Sequence, residues 1–168
     1  MSSADADAHG ALQQLAIEYA NAIDAQQWDR LDDVFLADAW IDYTAVGGIA
    51  GHYPEVKAWL PKSLGLFGGY MHFVGNFAFR IDGDTATGQV ACINPMVLPG
   101  LIPGLKRTMA IGVWYDDQYR RTEQGWRIQQ RRERKSFTLN EPLWMMIGTW
   151  IYRRRNMRDA EKRQAKPS

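Results

Sequence analysis

The chain has 168 residues, a length typical of one domain with a substantial core. Its hydrophobic share of 46% and charged share of 23% are those of an ordinary globular protein. The single cysteine, Cys92, excludes an internal disulfide and a multi-cysteine zinc site. Residues 1–9 lack the pattern of a signal peptide, and no apolar run approaches the ~20 residues that span a bilayer. We therefore expect a cytoplasmic protein without a membrane partner.

The charge is unevenly distributed, although the net charge is only +1. Residues 1–119 carry 6 Lys/Arg against 14 Asp/Glu, and residues 120–168 carry 14 against 5. Such asymmetry can mark a nucleic-acid binder, whose affinity would fall steeply with salt. However, the basic residues lie in a strand-like stretch and a tail without the glycine-aromatic signature of an RNA-binding module. Pairing with the acidic half in an oligomer, or attraction of an anionic substrate, is the favoured explanation.

The first third of the chain shows helical periodicity. Residues 8–24 predict an amphipathic helix, because apolar residues recur at offsets of three, four, seven and eleven. Its apolar stripe is Leu12, Leu15, Ala16, Tyr19 and Ile23. A second short helix is predicted over residues 28–35, a strand over residues 39–44, and a third helix from Pro54 that Pro61 interrupts.

From Tyr70 onward the period is that of strands. Long strands are predicted over residues 70–81, 85–98, 106–119 and 126–137, with turn signals at residues 82–84 and 123–125. Residues 140–155 predict a C-terminal helix. We expect one domain over residues 8–156, with flexible tails at residues 1–7 and 157–168.

This order of elements predicts an α+β domain, in which a cone-shaped, curved antiparallel sheet wraps around the N-terminal helices. Such a sheet leaves a small-molecule cavity at its open end. The apolar residues Phe73, Phe77, Phe79 and Ile81 are expected on the sheet face opposite His72. Both sides of the sheet are then covered, one by helices and the other by a second subunit, so we expect a homo-oligomer, either dimer or trimer.

Asp24 and His72 are candidates for proton transfer. Asp24 falls in the last turn of the first helix, where the helix dipole disfavours a carboxylate. His72 opens the first long strand and points into the predicted cavity, at the end of that helix. An imidazole can move a proton while a carboxylate fixes its tautomer. Both residues also have an ordinary alternative, a solvated aspartate and a structural histidine.

Several segments resemble the SnoaL-like polyketide cyclase family of the nuclear-transport-factor-two-like superfamily. The similarity covers roughly residues 10–137 and is most specific at residues 17–24 and 71–76. Further matches lie at residues 28–31, 35–39, 81–86 and 125–128, and at Gly51. Members of the family are cone-shaped. The chain looks closest to the group of scytalone dehydratase, bile-acid 7α-dehydratase and hexachlorocyclohexane dehydrochlorinase.

The resemblance implies roles for particular residues. His72 would be the base, Asp24 its orienting partner, and Tyr19 a donor to a carbonyl or leaving hydroxyl. No metal or organic cofactor is implied. Asn94 stands where the bile-acid enzymes have a second carboxylate, and an amide cannot carry a proton through turnover. It would instead help to polarise a substrate carbonyl.

The remaining pocket walls are expected to be apolar and aromatic, which suits a flat polycyclic or aromatic molecule. The predicted wall residues are Phe35, Tyr43, Trp59, Leu60, Phe67, Met96 and Trp114. Lys135 roughly matches a basic pocket residue of the same group, and a solvent-facing lysine is its alternative. Trp144, Met145, Met146 and Trp150 either pack over the sheet or form an apolar lid.

We therefore expect a cofactor-independent enzyme, either a lyase (dehydratase) or an isomerase or cyclase. Its expected substrate is a small hydrophobic hydroxy- or keto-compound, such as a steroid or polyketide. A non-catalytic ligand-binding or assembly domain of the same fold is the alternative, because fold does not determine function. A binding-only pocket, however, has no need of a base together with its partner.

Overall fold

The computed structural model describes residues 3–99 and 107–142. The helices in these ranges are α1 (Ser3–Asp24), α2 (Tyr53–Leu64) and two 3-10 helices, Trp28–Asp33 and Thr44–Val46. The strands are β1 (Phe35–Asp42), β2 (Ala50–His52), β3 (Gly69–Tyr70), β4 (Phe73–Asp82), β5 (Thr85–Leu98), β6 (Arg107–Thr122) and β7 (Gly125–Leu139).

The strands form one curled, mixed sheet with the order β2-β1-β7-β6-β5-β3, and β4 also pairs with β5. The hairpins from β4 to β7 are antiparallel, as predicted. β1, however, pairs with β7 in parallel, so the prediction of a purely antiparallel sheet is wrong at this one junction. The cone-shaped α+β architecture is confirmed, with the helices on the concave side of the sheet.

Helix α1 fills the cone because its apolar stripe is continuous. Leu12, Ala16, Tyr19 and Ile23 are all buried, as the 3.6-residue period predicts. The helix packs on β4 and β7 and starts earlier than predicted. It therefore lies along the inside of the sheet with its C-terminal end at the cavity.

Two other helical predictions need correction. The second helix is a 3-10 helix that ends at Asp33, and Phe35 begins β1 instead of belonging to that helix. Helix α2 does start with Pro54 in its first turn, but it continues through Pro61 to Leu64. A proline in a helix removes one backbone hydrogen bond, and the neighbouring turns hold the helix together here.

The edge strand beside β5 is interrupted where His72 lies. β3 pairs with β5 through Tyr70 and Met96, and β4 resumes the pairing at Phe73 and Ile93. His72 therefore lies between two strands and does not open a continuous one. The interruption frees its backbone N–H and its side chain for other partners.

The predicted sheet face of the aromatic residues in β4 is wrong for most of them, because β4 contains a β-bulge. Asn76, with φ of +48°, and Phe77 stand together opposite one residue of β5. The extra residue shifts the alternation, so that Phe77, Phe79 and Ile81 pack on the core while Phe73 remains outside, 59% exposed. Only Phe73 of the predicted outer set therefore faces outward.

Part of the C-terminal prediction lies beyond the described ranges. Residues 140–142 are not helical. The rest of the predicted C-terminal helix, including Trp144, Met145, Met146 and Trp150, lies outside the described residues. In residues 3–99 and 107–142, no helix is both long and apolar enough to cross a membrane.

Candidate active site

Asp24 and His72 form a two-point contact. The His72 backbone N–H donates to Asp24 Oδ2 at 2.8 Å, and His72 Nδ1 lies 2.6 Å from Asp24 Oδ1. Both carboxylate oxygens thus face one residue, which fixes the imidazole and favours the tautomer with its proton on Nδ1. The His72 side chain is 6% exposed and that of Asp24 is 23% exposed. With its proton on Nδ1, the His72 imidazole has Nε2 as its basic nitrogen.

The end of α1 positions Asp24. Gln26 has a φ of +56°, the Gln27 N–H bonds to the Ala22 carbonyl at 2.9 Å, and the Gln26 N–H bonds to the Ile23 carbonyl at 3.0 Å. This pattern is a Schellman ending with glutamine in the left-handed position that glycine usually occupies. It stops the helix immediately after Asp24. The carboxylate is therefore presented at the helix end, toward the interruption in the edge strand.

Asn94 contacts the other nitrogen of the imidazole. Its Nδ2 lies 2.9 Å from His72 Nε2, while its Oδ1 is buried and has no hydrogen-bond partner in the described part of the chain. An amide N–H donated to Nε2 agrees with a neutral imidazole protonated on Nδ1. The unpartnered Oδ1 is a buried acceptor beside the cavity, and a change in the side-chain rotamer would be needed to expose it to a ligand.

Two tyrosines add a second polar group to the cavity. The Tyr19 and Tyr43 hydroxyls are 2.9 Å apart and buried. Burial raises the pKa of Tyr19 to about 12 and that of Tyr43 well above its usual value. Both are therefore protonated near neutral pH. If Tyr43 donates to Tyr19, the Tyr19 proton is available to a ligand oxygen.

A buried ion pair lies against Tyr19 and Tyr115. Arg131 donates from Nε to Asp117 Oδ1 at 2.8 Å and from Nη2 to Oδ2 at 2.6 Å. Its guanidinium carbon lies 4.2 Å from the ring centroids of both Tyr19 and Tyr115. The cation thus lies over both rings, which are edge-on to each other with centroids 5.7 Å apart, and contact with an aromatic face is favourable for arginine. The pair fixes the positions of both rings.

The cavity has a volume of about 230 Å³ and is mainly apolar. Among the predicted residues, its wall includes Tyr19, His72, Asn94, Tyr43, Trp59, Leu60, Phe67 and Met96. Asp24 is not part of the cavity wall but contacts His72, which is. The loop of Val46, Gly47 and Gly48 forms part of the rim. Gly48 is needed there, because a Cβ would lie 2.7 Å from Tyr43 Cβ.

Three predicted wall residues do not line the cavity. Phe35 lies behind it, stacked on Tyr53 and edge-on to Tyr19. Trp114 faces the outside of the sheet, where Arg134 lies over its ring, because strand alternation turns it away from its neighbours in β6. Lys135 is half-buried opposite Val113, on the inner face but beyond the cavity wall.

Other residues that were not predicted from the sequence also line the cavity. Val113 and Tyr115 of β6 line the cavity on either side of the outward-facing Trp114, and alternation alone could have identified this face. Glu133 of β7 also lines it, opposite Tyr115. Burial raises the pKa of Glu133 to about 8. Glu133 was not predicted to line the cavity because it lies in a run of charged residues, and such a run usually marks a solvent-exposed face.

No three His, Cys, Asp or Glu side chains within residues 3–99 and 107–142 are grouped closely enough to hold a metal ion. Cys92 is buried beside the cavity, where desolvation raises the pKa of its thiol to about 11.

The fold and site together define a cone-shaped domain with a small-molecule cavity and a carboxylate–imidazole pair at its wall. The model of the SnoaL-like domain family matches residues 4–132, and the chain belongs to that family. An uncharacterized protein of Mycobacterium tuberculosis is 50% identical over 126 residues, which cover 75% of this chain and 84% of the relative.

Solved structures show the same fold. A candidate scytalone dehydratase from Novosphingobium aromaticivorans superposes with a TM-score of 0.73 at 15% identity, covering 85% of this chain and 93% of that one. A hexachlorocyclohexane dehydrochlorinase, LinA type 2, superposes with a TM-score of 0.66 at 18% identity, covering 80% and 88%. Solved structures of this fold thus include a dehydrochlorinase. At these identities the likeness establishes the fold alone.

Proposed function

We propose that this protein is a cofactor-independent lyase or isomerase that removes a proton from carbon with the Asp24–His72 pair. The observation that carries the proposal is the two-point contact of Asp24 with His72 at the wall of an apolar cavity. A base in such a site is held in one tautomer and shielded from water. Its substrate would be a small hydrophobic hydroxy- or keto-compound.

His72 Nε2 would take the proton, and the Asp24 carboxylate would stabilise the imidazolium that forms. The amide of Asn94 must first give way, because its Nδ2 lies 2.9 Å from the same nitrogen. Rotation of that amide by about half a turn would present Oδ1 to the new N–H. Asn94 could thus contact both protonation states of His72.

Tyr19 would bind the oxygen of the substrate. Its raised pKa of about 12 keeps its proton near neutral pH, and the neighbouring Tyr43 hydroxyl orients it. A phenol that donates to a carbonyl or hydroxyl oxygen stabilises negative charge that develops there. The base and the donor would then act on neighbouring atoms of one substrate.

The cavity favours a compact substrate. Its volume of about 230 Å³ is below the ~300–1,000 Å³ of most ligand pockets. Aromatic residues such as Trp59, Phe67 and Tyr115 would pack on a flat ring system. Of the two leading substrate classes, these dimensions favour a small aromatic polyketide over a four-ring steroid.

One observation favours the alternative of a non-catalytic ligand-binding domain. The Nε2 lone pair is already engaged by Asn94, and position 94 lacks the carboxylate expected of the bile-acid enzymes. After a change in the side-chain rotamer, a ligand hydroxyl could bind the unpartnered Asn94 Oδ1 without any reaction.

The test is a thermal-shift screen of fused aromatic hydroxy-ketones, steroids and bile acids, followed by mass spectrometry of each compound that binds. We expect wild type to convert at least one of these with loss of water or at unchanged mass. His72→Ala should bind it and lower kcat by ~10²–10⁴-fold, the usual contribution of a general base.

His52→Ala is the matched control, because His52 is an exposed histidine at the end of β2 whose ring bonds only weakly, at 3.3 Å, to the Asp38 carbonyl. It should retain the wild-type rate. If wild type and His72→Ala bind a compound equally and neither transforms it between pH 5 and pH 9, catalysis on that compound is ruled out and the binding-domain alternative is favoured.

A further inference from the structure

Glu133 is an acidic side chain in the cavity that the Asp24–His72 chemistry does not use. It belongs to β7, lies opposite Tyr115 in β6 and borders the same cavity as His72 and Asn94. No hydrogen bond to its carboxyl group comes from any residue in the described ranges, so the group is available to a ligand. It is half-buried because part of its surface borders the cavity.

The surroundings of Glu133 favour the neutral acid. Desolvation raises its pKa to about 8, and Asp42 of β1 adds to this effect. Arg131, two residues away on the same strand, opposes it but is paired through two hydrogen bonds with Asp117. The other titratable groups that face this region are Tyr19 of α1, Tyr43 after β1, Cys92 of β5, Tyr115 of β6 and Lys135 of β7.

We propose that Glu133 is the proton donor to the substrate oxygen, in the same cavity where His72 removes a proton from carbon. This inference rests on the proposed function and assigns its acid. Asn94 cannot serve as that acid, because an amide does not give up a proton in turnover. Tyr19, whose pKa is raised to about 12, would hydrogen-bond the substrate oxygen without giving up its proton. Glu133 is the carboxylic acid on the cavity wall among the described residues.

The proposed dehydration step balances as follows. His72 Nε2 takes the proton from carbon, and the electron pair of the C–H bond forms the C=C bond. The neighbouring C–O bond breaks with its pair on oxygen, and the Glu133 proton converts the leaving hydroxide into water. His72 is then protonated and Glu133 ionised. Transfer of one proton from the imidazolium to the carboxylate, through the water released, restores both groups without any co-reactant.

The test compares wild type, Glu133→Gln, Glu133→Asp, His72→Gln and the control Glu123→Gln on the compound that wild type converts. Glu123 is an exposed glutamate of the β6–β7 turn. Glu133→Gln should lower kcat by ~10²–10⁴-fold with KM nearly unchanged, and Glu133→Asp should recover part of the rate. Wild type should lose activity as the pH rises through about 8, where Glu133 ionises. The residual activity of Glu133→Gln should lack this alkaline limb.

The outcomes separate the two proposals. If His72→Gln is inactive while Glu133→Gln keeps the wild-type kcat and alkaline limb, Glu133 is not the donor and the proposed function stands. If His72→Gln keeps the wild-type rate, both proposals fail.

Carbon-13 NMR titration of carboxyl-labelled glutamate gives a readout that needs no substrate. One resonance should titrate near pH 8 and be absent from Glu133→Gln. Titration of Glu133 in the range of an ordinary glutamate, near pH 4 to 5, would overturn the inference even if wild type converted none of the compounds.

Discussion

At the scale of single residues, the Arg131–Asp117 pair is the most demanding feature of the core. Both side chains are 0% exposed, and the Tyr119 hydroxyl donates a third hydrogen bond to Asp117 at 2.9 Å. Burying two charges is expensive unless the partners are close and well bonded. Two short hydrogen bonds and contacts with two aromatic rings offset this cost for the Arg131 guanidinium, whose Nη1 has no hydrogen-bond partner among the described residues. Its contribution is to fix Tyr19 and Tyr115 at the cavity.

Asp117→Ala should lower the free energy of unfolding by ~3–5 kcal/mol, because it leaves the Arg131 guanidinium buried without its counterion. The adjacent Asp116→Ala is the matched control. Asp116 pairs with Arg134 at the surface, so its loss should change stability little. Urea denaturation of the three proteins would measure both effects. Equal losses for the two variants would show that the buried pair has no special role.

At the scale of elements, the bulge in β4 decides which face its aromatic residues occupy. Asn76 adopts a φ of +48°, a conformation that asparagine and glycine tolerate and β-branched residues do not. The shifted alternation turns Phe77, Phe79 and Ile81 onto the core. The aromatic ring of Phe79 then lies over Gly88, where a Cβ would approach within 2.5 Å.

Asn76→Val should destabilise the protein by ~1–2 kcal/mol, because valine is strained at this φ. Asn76→Gly should be neutral or slightly stabilising. Ala78→Val is the control, since Ala78 is an exposed position at which β4 resumes its regular pairing with β5. Chemical denaturation would rank the variants. If Asn76→Val proved as stable as Ala78→Val, φ strain would not be the determinant at this position.

Local patterns predicted the elements well where the signal lies within a few residues. The stripe of Leu12, Ala16 and Tyr19 predicted α1, and the bounds of β5 agree with the prediction. The sequence does not show where distant segments meet, so the parallel pairing of β1 with β7 was missed. The left-handed Gln26 and Asn76 were missed for a different reason: glycine is the residue that usually marks such positions in a sequence, and neither position has one.

The candidate site was predictable to a similar extent. The resemblance identified the segments of Asp24 and His72, and the structure brings their side chains together. Trp114 falls outside the cavity by simple strand alternation between Val113 and Tyr115. Lys135 lies on the inner face opposite Val113 but beyond the cavity wall, and alternation does not show how far the cavity extends along a strand. Glu133 was overlooked because its neighbours in sequence are arginines and a lysine.

At the scale of the whole molecule, the outer face of the sheet carries a row of apolar side chains. Phe73, Ile93 and Phe137 are 59%, 48% and 41% exposed and lie side by side across the strands, with the Phe137 ring over Gly112. An exposed apolar row on a sheet face is typical of a protein interface. We propose that a second copy of the chain covers it, because one such patch can pair with itself about a two-fold axis.

Ile93→Lys should reduce the mass measured by light scattering from that of an oligomer to that of a monomer, because it places a charge at the centre of the row. Thr87→Lys is the control, since it adds the same charge on the same strand and face but away from the row. If wild type were a monomer at all concentrations tested, the proposal would be wrong, and something other than a second copy of the chain would cover this face.

The parallel pairing of β1 with β7 also has a consequence for biosynthesis. Phe35 lies beside Ile128, and the Ile128 N–H bonds to the Val34 carbonyl at 2.8 Å. A ribosome adds ~5–20 residues per second, so β1 waits roughly 5–20 s before β7 has been synthesised. During that interval one edge of β1 lacks the strand with which it pairs in the folded protein. Premature association is thus a hazard of the same long-range contact that completes the cavity.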